Sequence, residues 1–180
     1  MFETAEELAA LQRLLDESFA NSGEHLLSIM EPQRHLSAER LSAELPSPAV
    51  LNVATVTATG EPRVSAVDGH FLHGAWYFTT AKHAVKAQHL RQRPPLSAAY
   101  TPRDGYGVFC HGRAELIDDA DAGWLRDHLG ETYGTEPDAW AGYTTVRIDA
   151  HWLTGFAMTD EEMEQVETAS AARQARRKNA

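Results

Sequence analysis

LNVATVTATGEPRVSAVDGHFLHGAWYFTTAKHAVKAQHLRQRPPLSAAYTPRDGYGVFCHGRAELID, Leu51–Asp118, is the stretch that decides the fold. Leu51, Val53, Thr55 and Thr57 alternate with Asn52, Ala54, Val56 and Ala58, which is the period of a strand with one face more apolar than the other. Thr59-Gly60-Glu61-Pro62 is a turn, so Arg63 to Phe71 returns as a hairpin partner. His73-Gly74 turns again, and Ala75 to Thr79 is an aromatic strand through Trp76, Tyr77 and Phe78. Then the period changes. Val85, His89 and Leu90 fall on one face of a helix predicted from about Ala81 to Gln92, closed by Arg93-Pro94-Pro95. Strands resume at Leu96 to Tyr100 and Val108 to Ile117, joined by Pro102-Arg103-Asp104-Gly105.

Working outward, Leu8, Leu11, Leu14, Leu15 and Phe19 recur at helical spacing over 2–21, and Thr4 with Glu7 forms a capping box. Shorter helical stretches follow at Glu24 to Met30 and Ser37 to Leu45, before the Pro46-Ser47-Pro48 break. On the C-terminal side, Asp121 to Tyr133 is a predicted helix and Thr144 to Phe156 a last strand or strand pair. Thr159 with Glu162 caps a final helix that ends in Arg173, Arg176, Arg177 and Lys178. Six or so strands with one internal helix and helical termini predict an α+β chain, mainly β: a six-stranded antiparallel barrel rather than a parallel sheet. The expected division is a helical N-terminal arm over 1–47, a barrel over 48–158 and a C-terminal helix with a basic tail over 159–180.

Bulk composition narrows the function. The formal charge of −10 argues against nucleic acid as a partner, since phosphate backbones need a basic surface. A single cysteine, Cys110, excludes an internal disulfide framework. No apolar run approaches a membrane span and the N-terminus is acidic, so a soluble cytoplasmic protein is expected. Nine histidines fall into no pattern of metal-ligand spacing, and no metal site is expected.

The chemistry-bearing set is Thr79 and Thr80 before a helix that carries Lys82 and Lys86, with Arg63 on a neighbouring strand. Helix N-termini expose unpaired N–H groups and partial positive charge, so hydroxyls and lysines there suit a phosphate, and Arg63 adds a bidentate donor. The plainer reading is that Thr80 only caps the helix and the lysines are solvated. From spacing alone that reading carries more weight. Neither the dinucleotide-type glycine fingerprint nor the Walker-type loop occurs.

A resemblance changes that balance. Ala54-Thr55-Val56-Thr57, Gly60-Glu61-Pro62-Arg63-Val64-Ser65, Trp76-Tyr77-Phe78-Thr79-Thr80, Val85-Lys86-Ala87-Gln88-His89-Leu90 with Pro94, and His111-Gly112-Arg113-Ala114-Glu115 occur in this order. Together they resemble the pyridoxamine 5′-phosphate oxidase-like family of FMN-binding split barrels. The resemblance implies that Arg63, Val64, Ser65 and Ala66 lie beside the isoalloxazine and that Thr79, Thr80 and Lys86 hold the phosphate. It also implies a homodimer with cofactor clefts between the subunits.

Three departures tell against vitamin B6 oxidation. Val85 stands where that family's oxidases have a second basic residue, and Val67-Asp68 where they have a lysine. Their C-terminal arginine-histidine motif has no counterpart. Lys82 or His83 would replace the missing phosphate contact. The resemblance thus implies an FMN- or deazaflavin (coenzyme F-420)-dependent oxidoreductase moving hydride to or from a small organic substrate. The cofactor carries the chemistry, so no catalytic side chain is assigned. The alternative is a non-enzymatic flavin- or haem-binding protein on the same fold, with His111 as the haem ligand.

Overall fold

Strand β1 (Ala49–Val56) turns Ala49, Leu51, Val53 and Thr55 inward, and β2 (Pro62–Leu72) pairs with it along its whole length, from Ala49↔Gly69 to Val56↔Pro62. The hairpin between them closes on Gly60, whose φ of 86° is the left-handed conformation glycine accepts at no steric cost. β3 (Ala75–Ala81), β4 (Pro95–Arg103), β5 (Tyr106–Ile117) and β6 (Tyr143–Ala157) complete the sheet. The six strands close into an antiparallel barrel in the order β1-β2-β3-β6-β5-β4, as expected from the alternation. This computed structural model describes residues 2–118 and 120–178. The side chains of 171–178, and with them the basic tail expected at Arg173 to Lys178, lie outside that description.

The barrel encloses one main core built on Leu51, Val53, Trp76, Phe78, Val108, Val146, Ile148 and Leu153. The N-terminal segment, expected as an arm, contributes to this core. Leu11 and Leu15 of α1 (Ala5–Ala20), Leu36, and Leu41 of α3 (Ala38–Glu44) are all buried in it. A six-residue α2 (Glu24–Ile29) lies between. The Thr4/Glu7 capping box is present: Glu7 N–H donates to Thr4 Oγ1 and Thr4 N–H to Glu7 Oε2. Ser18 fastens α1 to the sheet, its buried Oγ accepting from Leu153 N–H at 2.9 Å. The final helix α6 (Asp160–Lys178) opens on the expected Thr159/Glu162 pair. No helix among the described residues is long and apolar enough to cross a membrane.

One helix starts later than the sequence suggests. β3 continues through Thr79, Thr80 and Ala81, paired with Thr145, Thr144 and Tyr143 of β6, and α4 runs only over Val85–Gln92. Thr80 is therefore a strand residue, and Lys82 and His83 lie in the turn ahead of the helix. Val85, expected on the apolar face, is 64% exposed, while Ala87 and Leu90 face the core. The remaining helix, α5 (Gly123–Tyr133), ends on Gly134 in the left-handed conformation and covers β2 and β3 through Leu125 and Leu129.

Candidate functional site

A cleft of about 530 Å³ opens between β1, β2 and the head of α4. That size falls within the usual range for small-molecule sites. β2 contributes Arg63, Val64 and Ser65, α4 contributes Val85, Lys86 and His89, and β1 with its turn contributes Thr55 and Thr57. Two cations and no carboxylate line the cleft among the described residues. Arg63 is largely exposed and reaches Glu61 at 3.3 Å, a contact weak enough to exchange for a ligand.

The head of α4 gives the cleft its anion preference. Its N-cap is Ala84, which offers no side-chain acceptor, so the first turn has no side-chain cap, and Ala84, Val85 and Lys86 of that end line the cleft. Lys86 is the second residue of the helix, which places its ammonium stem at the same end as the partial positive charge. Ordinarily Ser, Thr, Asp or Asn would stand at such a cap. The donor set of uncapped backbone N–H, ammonium and guanidinium fits a phosphate group. His89 closes the inner wall, its Nδ1 3.0 Å from the buried Thr55 hydroxyl.

The structure divides the residues expected from sequence. Arg63, Val64, Ser65 and Lys86 meet in this cleft; Ala66 lies further along β2, exposed and opposite Asn52. Thr79 and Thr80 do not line it, and Thr80 is buried in the β3–β6 ladder. Lys82 donates its N–H to Gly142 O at 3.0 Å and borders a separate cleft with Arg91 and Thr144. His83 is exposed in the turn, its carbonyl accepting from Gln88 at 3.4 Å. Sequence reasoning missed Thr55, Thr57 and His89 as lining residues. The Ala54-Thr55-Val56-Thr57 alternation puts both threonines on one face, and that was the available signal.

A second groove, between α1 and strands β3 and β6, is lined by Glu7, His73, Tyr77, Arg147 and Asp149. Its basic side chains are already engaged: His73 lies 3.2 Å from Glu7, and Arg147 is 2.9 Å from Glu115.

Residues 37–157 match the family model described as pyridoxamine 5′-phosphate oxidase. The chain belongs to that family. No curated relative matches its sequence. Among solved structures it is similar to a FAD-binding protein from Mesorhizobium loti, at 22% identity and a TM-score of 0.56 over 70% of this chain and 98% of the other. It is also similar to an F420 reductase, at 20% identity and a TM-score of 0.52 over 62% and 94%. The haem storage protein HutZ from Vibrio cholerae is a third, at 18% identity and a TM-score of 0.54 over 71% and 96%. At these identities the structural likeness establishes the split-barrel fold.

Proposed function

We propose that this family member is a flavin- or deazaflavin-dependent oxidoreductase acting on a small organic substrate as a homodimer. The observation that carries the reading is the uncapped first turn of α4, facing the same cleft as Lys86 and Arg63. The backbone N–H groups of that turn and the Lys86 ammonium would hold the cofactor phosphate, and Arg63 would add a bidentate contact. Val64 and Ser65 would run beside the ring, and Thr55 and Thr57 would offer hydroxyls from the inner wall. A bound flavin or deazaflavin supplies hydride transfer, and the chain supplies position and electrostatics.

Asp68 separates this reading from vitamin B6 oxidation. By the resemblance, Val67-Asp68 on β2 stands where the family's oxidases carry a lysine, and here Asp68 accepts the Tyr133 hydroxyl at 3.0 Å. A carboxylate at that place repels a phosphorylated substrate. The Mesorhizobium and F420 relatives support the cofactor class.

FMN and coenzyme F-420, titrated separately against the purified chain with fluorescence as the readout, test the proposal. At least one should bind, and Lys86→Ala should weaken it by about tenfold, the loss of one charge-assisted phosphate contact. Binding of neither cofactor would overturn the reading.

A second reading rests on His111. It is exposed on β5, stacked on Trp152 at 4.7 Å between centroids, with Nδ1 held 2.8 Å from Ser97 Oγ. Partial burial and the nearby His151 hold its imidazole below its ordinary value, which favours the neutral ring, and the tautomer with Nδ1–H donating to Ser97 Oγ would leave Nε2 to ligate a metal. The likeness to HutZ, a haem storage protein, is what suggests haem as the group to test. Haem titration should then give a Soret band that His111→Ala abolishes; no band, or one that survives the substitution, removes His111 as a ligand.

A further inference from the structure

A polar cluster lies away from the cofactor cleft, where α5 rests on the outer face of β2. At its centre the His70 imidazole is 1% exposed. Ser47 Oγ, from the segment before β1, lies 2.8 Å from His70 Nδ1 and 3.3 Å from Nε2 of His128 on α5. At the far side of the ring, His70 Nε2 is 3.4 Å from the Tyr133 hydroxyl, which donates to Asp68 Oδ2 at 3.0 Å. Three segments remote in sequence meet in one chain of groups.

Counting hydrogens gives that chain one direction. Tyr133 has a single hydroxyl hydrogen and gives it to the carboxylate, so His70 Nε2–H is the donor to the phenol oxygen. A neutral His70 then has a bare Nδ1, which accepts the Ser47 hydrogen, and the Ser47 oxygen accepts from His128 Nε2–H. The order His128, Ser47, His70, Tyr133, Asp68 satisfies every member once. A proton on His70 Nδ1 reverses its middle step: Ser47 Oγ must then accept from His70, and the Ser47 hydrogen is left without an acceptor unless His128 moves its own hydrogen to Nδ1. With His128 unchanged, the new N–H also faces His128 Nε2–H, 3.4 Å away, inside a site where burial penalises charge.

The surroundings make this chain decisive for α5. Leu125 and Leu129 pack with Leu72, Ala75 and Tyr77 in a small apolar cluster separate from the barrel core. Phe2 stands edge-on to His128 at 5.3 Å, and Trp124 edge-on to Tyr77 at 5.3 Å and to His73 at 5.2 Å. The ionisable groups around the histidine pair are Asp68 from β2, Tyr133 and Glu131 from α5, and the His73–Glu7 pair beyond the Phe2 ring. Burial and then the His128 ring push His70 down to about 4, against the pull of Asp68; burial also lowers His128, against Glu131.

We propose that this hydrogen-bond chain is a proton-operated latch: with His70 neutral it holds α5 against β2, and acid releases α5 from an otherwise intact barrel, uncovering Leu72, Ala75 and Tyr77. A docked value of about 4 against an ordinary 6.5 means that the released state binds more protons between those two values. Docking is fully supported above the window, weakens as pH falls through it, and stays weakened below it. One group contributes at most about tenfold in the docking equilibrium per pH unit. The latch needs no cofactor.

Residue-resolved amide hydrogen exchange on the full chain, from about pH 7 to about pH 4.5 and corrected for intrinsic rates, tests it. The opening equilibrium of α5 should rise by roughly tenfold or more while β5 and β6 keep their protection. His70→Asn retains one acceptor and one donor but takes no proton, so it should reduce the pH dependence to the shallower part that His128 contributes. His128→Gln, at a less buried site, should make the dependence shallower, because the neighbouring ring no longer opposes charge on His70. A flat α5 profile in the parent, loss of α5 and barrel protection together, or either variant with the parent's slope would overturn the latch.

Discussion

Gly112 has no room for a side chain. A Cβ there would run into the carbonyl oxygen of Asp149 and stand 3.0 Å from Ala150 Cα, both backbone atoms of β6. At this point the β5–β6 register slips, with His111 opposite Trp152, Gly112 opposite Ala150, and His151 passed over. Gly112 thus marks both a bulge and a close backbone approach. Gly112→Ala should lower stability by about 1–3 kcal/mol, since backbone rather than a flexible side chain must yield. Gly123→Ala is the control: nothing lies within 4 Å of its added methyl group at the head of α5. It should be neutral or gain up to about 1 kcal/mol. Urea unfolding of both variants decides, and a Gly112→Ala chain as stable as its parent would mean that β6 can shift freely. Residues of the candidate cleft were legible at this scale where residue type alone is informative, as for Arg63 and Lys86. Thr55 and His89 were not, because their meeting depends on where α4 crosses β1.

At the scale of elements, the strands of the first hairpin were readable because each has one wet and one dry face, and the pattern survives without knowledge of partners. The head of α4 was not readable from its own sequence. Ala81-Lys82-His83-Ala84 favours helix by local propensity, yet Ala81 is claimed by Tyr143 of β6, more than sixty residues away in the chain. The ladder satisfies Thr79 and Thr80, which leaves the helix to begin on an alanine that cannot cap it. The same tertiary override that spoiled the expected boundary produced the exposed N–H groups of the cleft. A capped α4 starting at Ala81 would have had less to offer a phosphate. β6 shows the reverse case: Thr144 to Phe156 was expected as a strand or a strand pair, and one strand, Tyr143–Ala157, runs through with its slip opposite Gly112.

At the scale of the whole molecule, closure of the barrel removes sheet edges but leaves apolar residues on its outside. Val50 is 65% exposed, Val64 69% and Val85 64%, and the last two line the α4 cleft. Single exposed apolar residues are ordinary, but two flanking a ligand cleft are suited to burial against a second subunit. This supports the homodimer in our proposal and links assembly to binding, since a cleft walled on one side by its partner is incomplete in a monomer. Val64→Asp would bring a charge into that contact, where burial without a partner is costly. We expect the parent chain to be dimeric by light scattering at micromolar concentration, and Val64→Asp to be monomeric with FMN or F-420 binding reduced by about tenfold or more. Lys86→Ala should lose affinity for the cofactor and remain a dimer, because its charge serves the phosphate and not the interface. A parent chain that is monomeric throughout, or a Val64→Asp dimer with unchanged affinity, would separate the cleft from any subunit contact and leave each protomer to bind its cofactor alone.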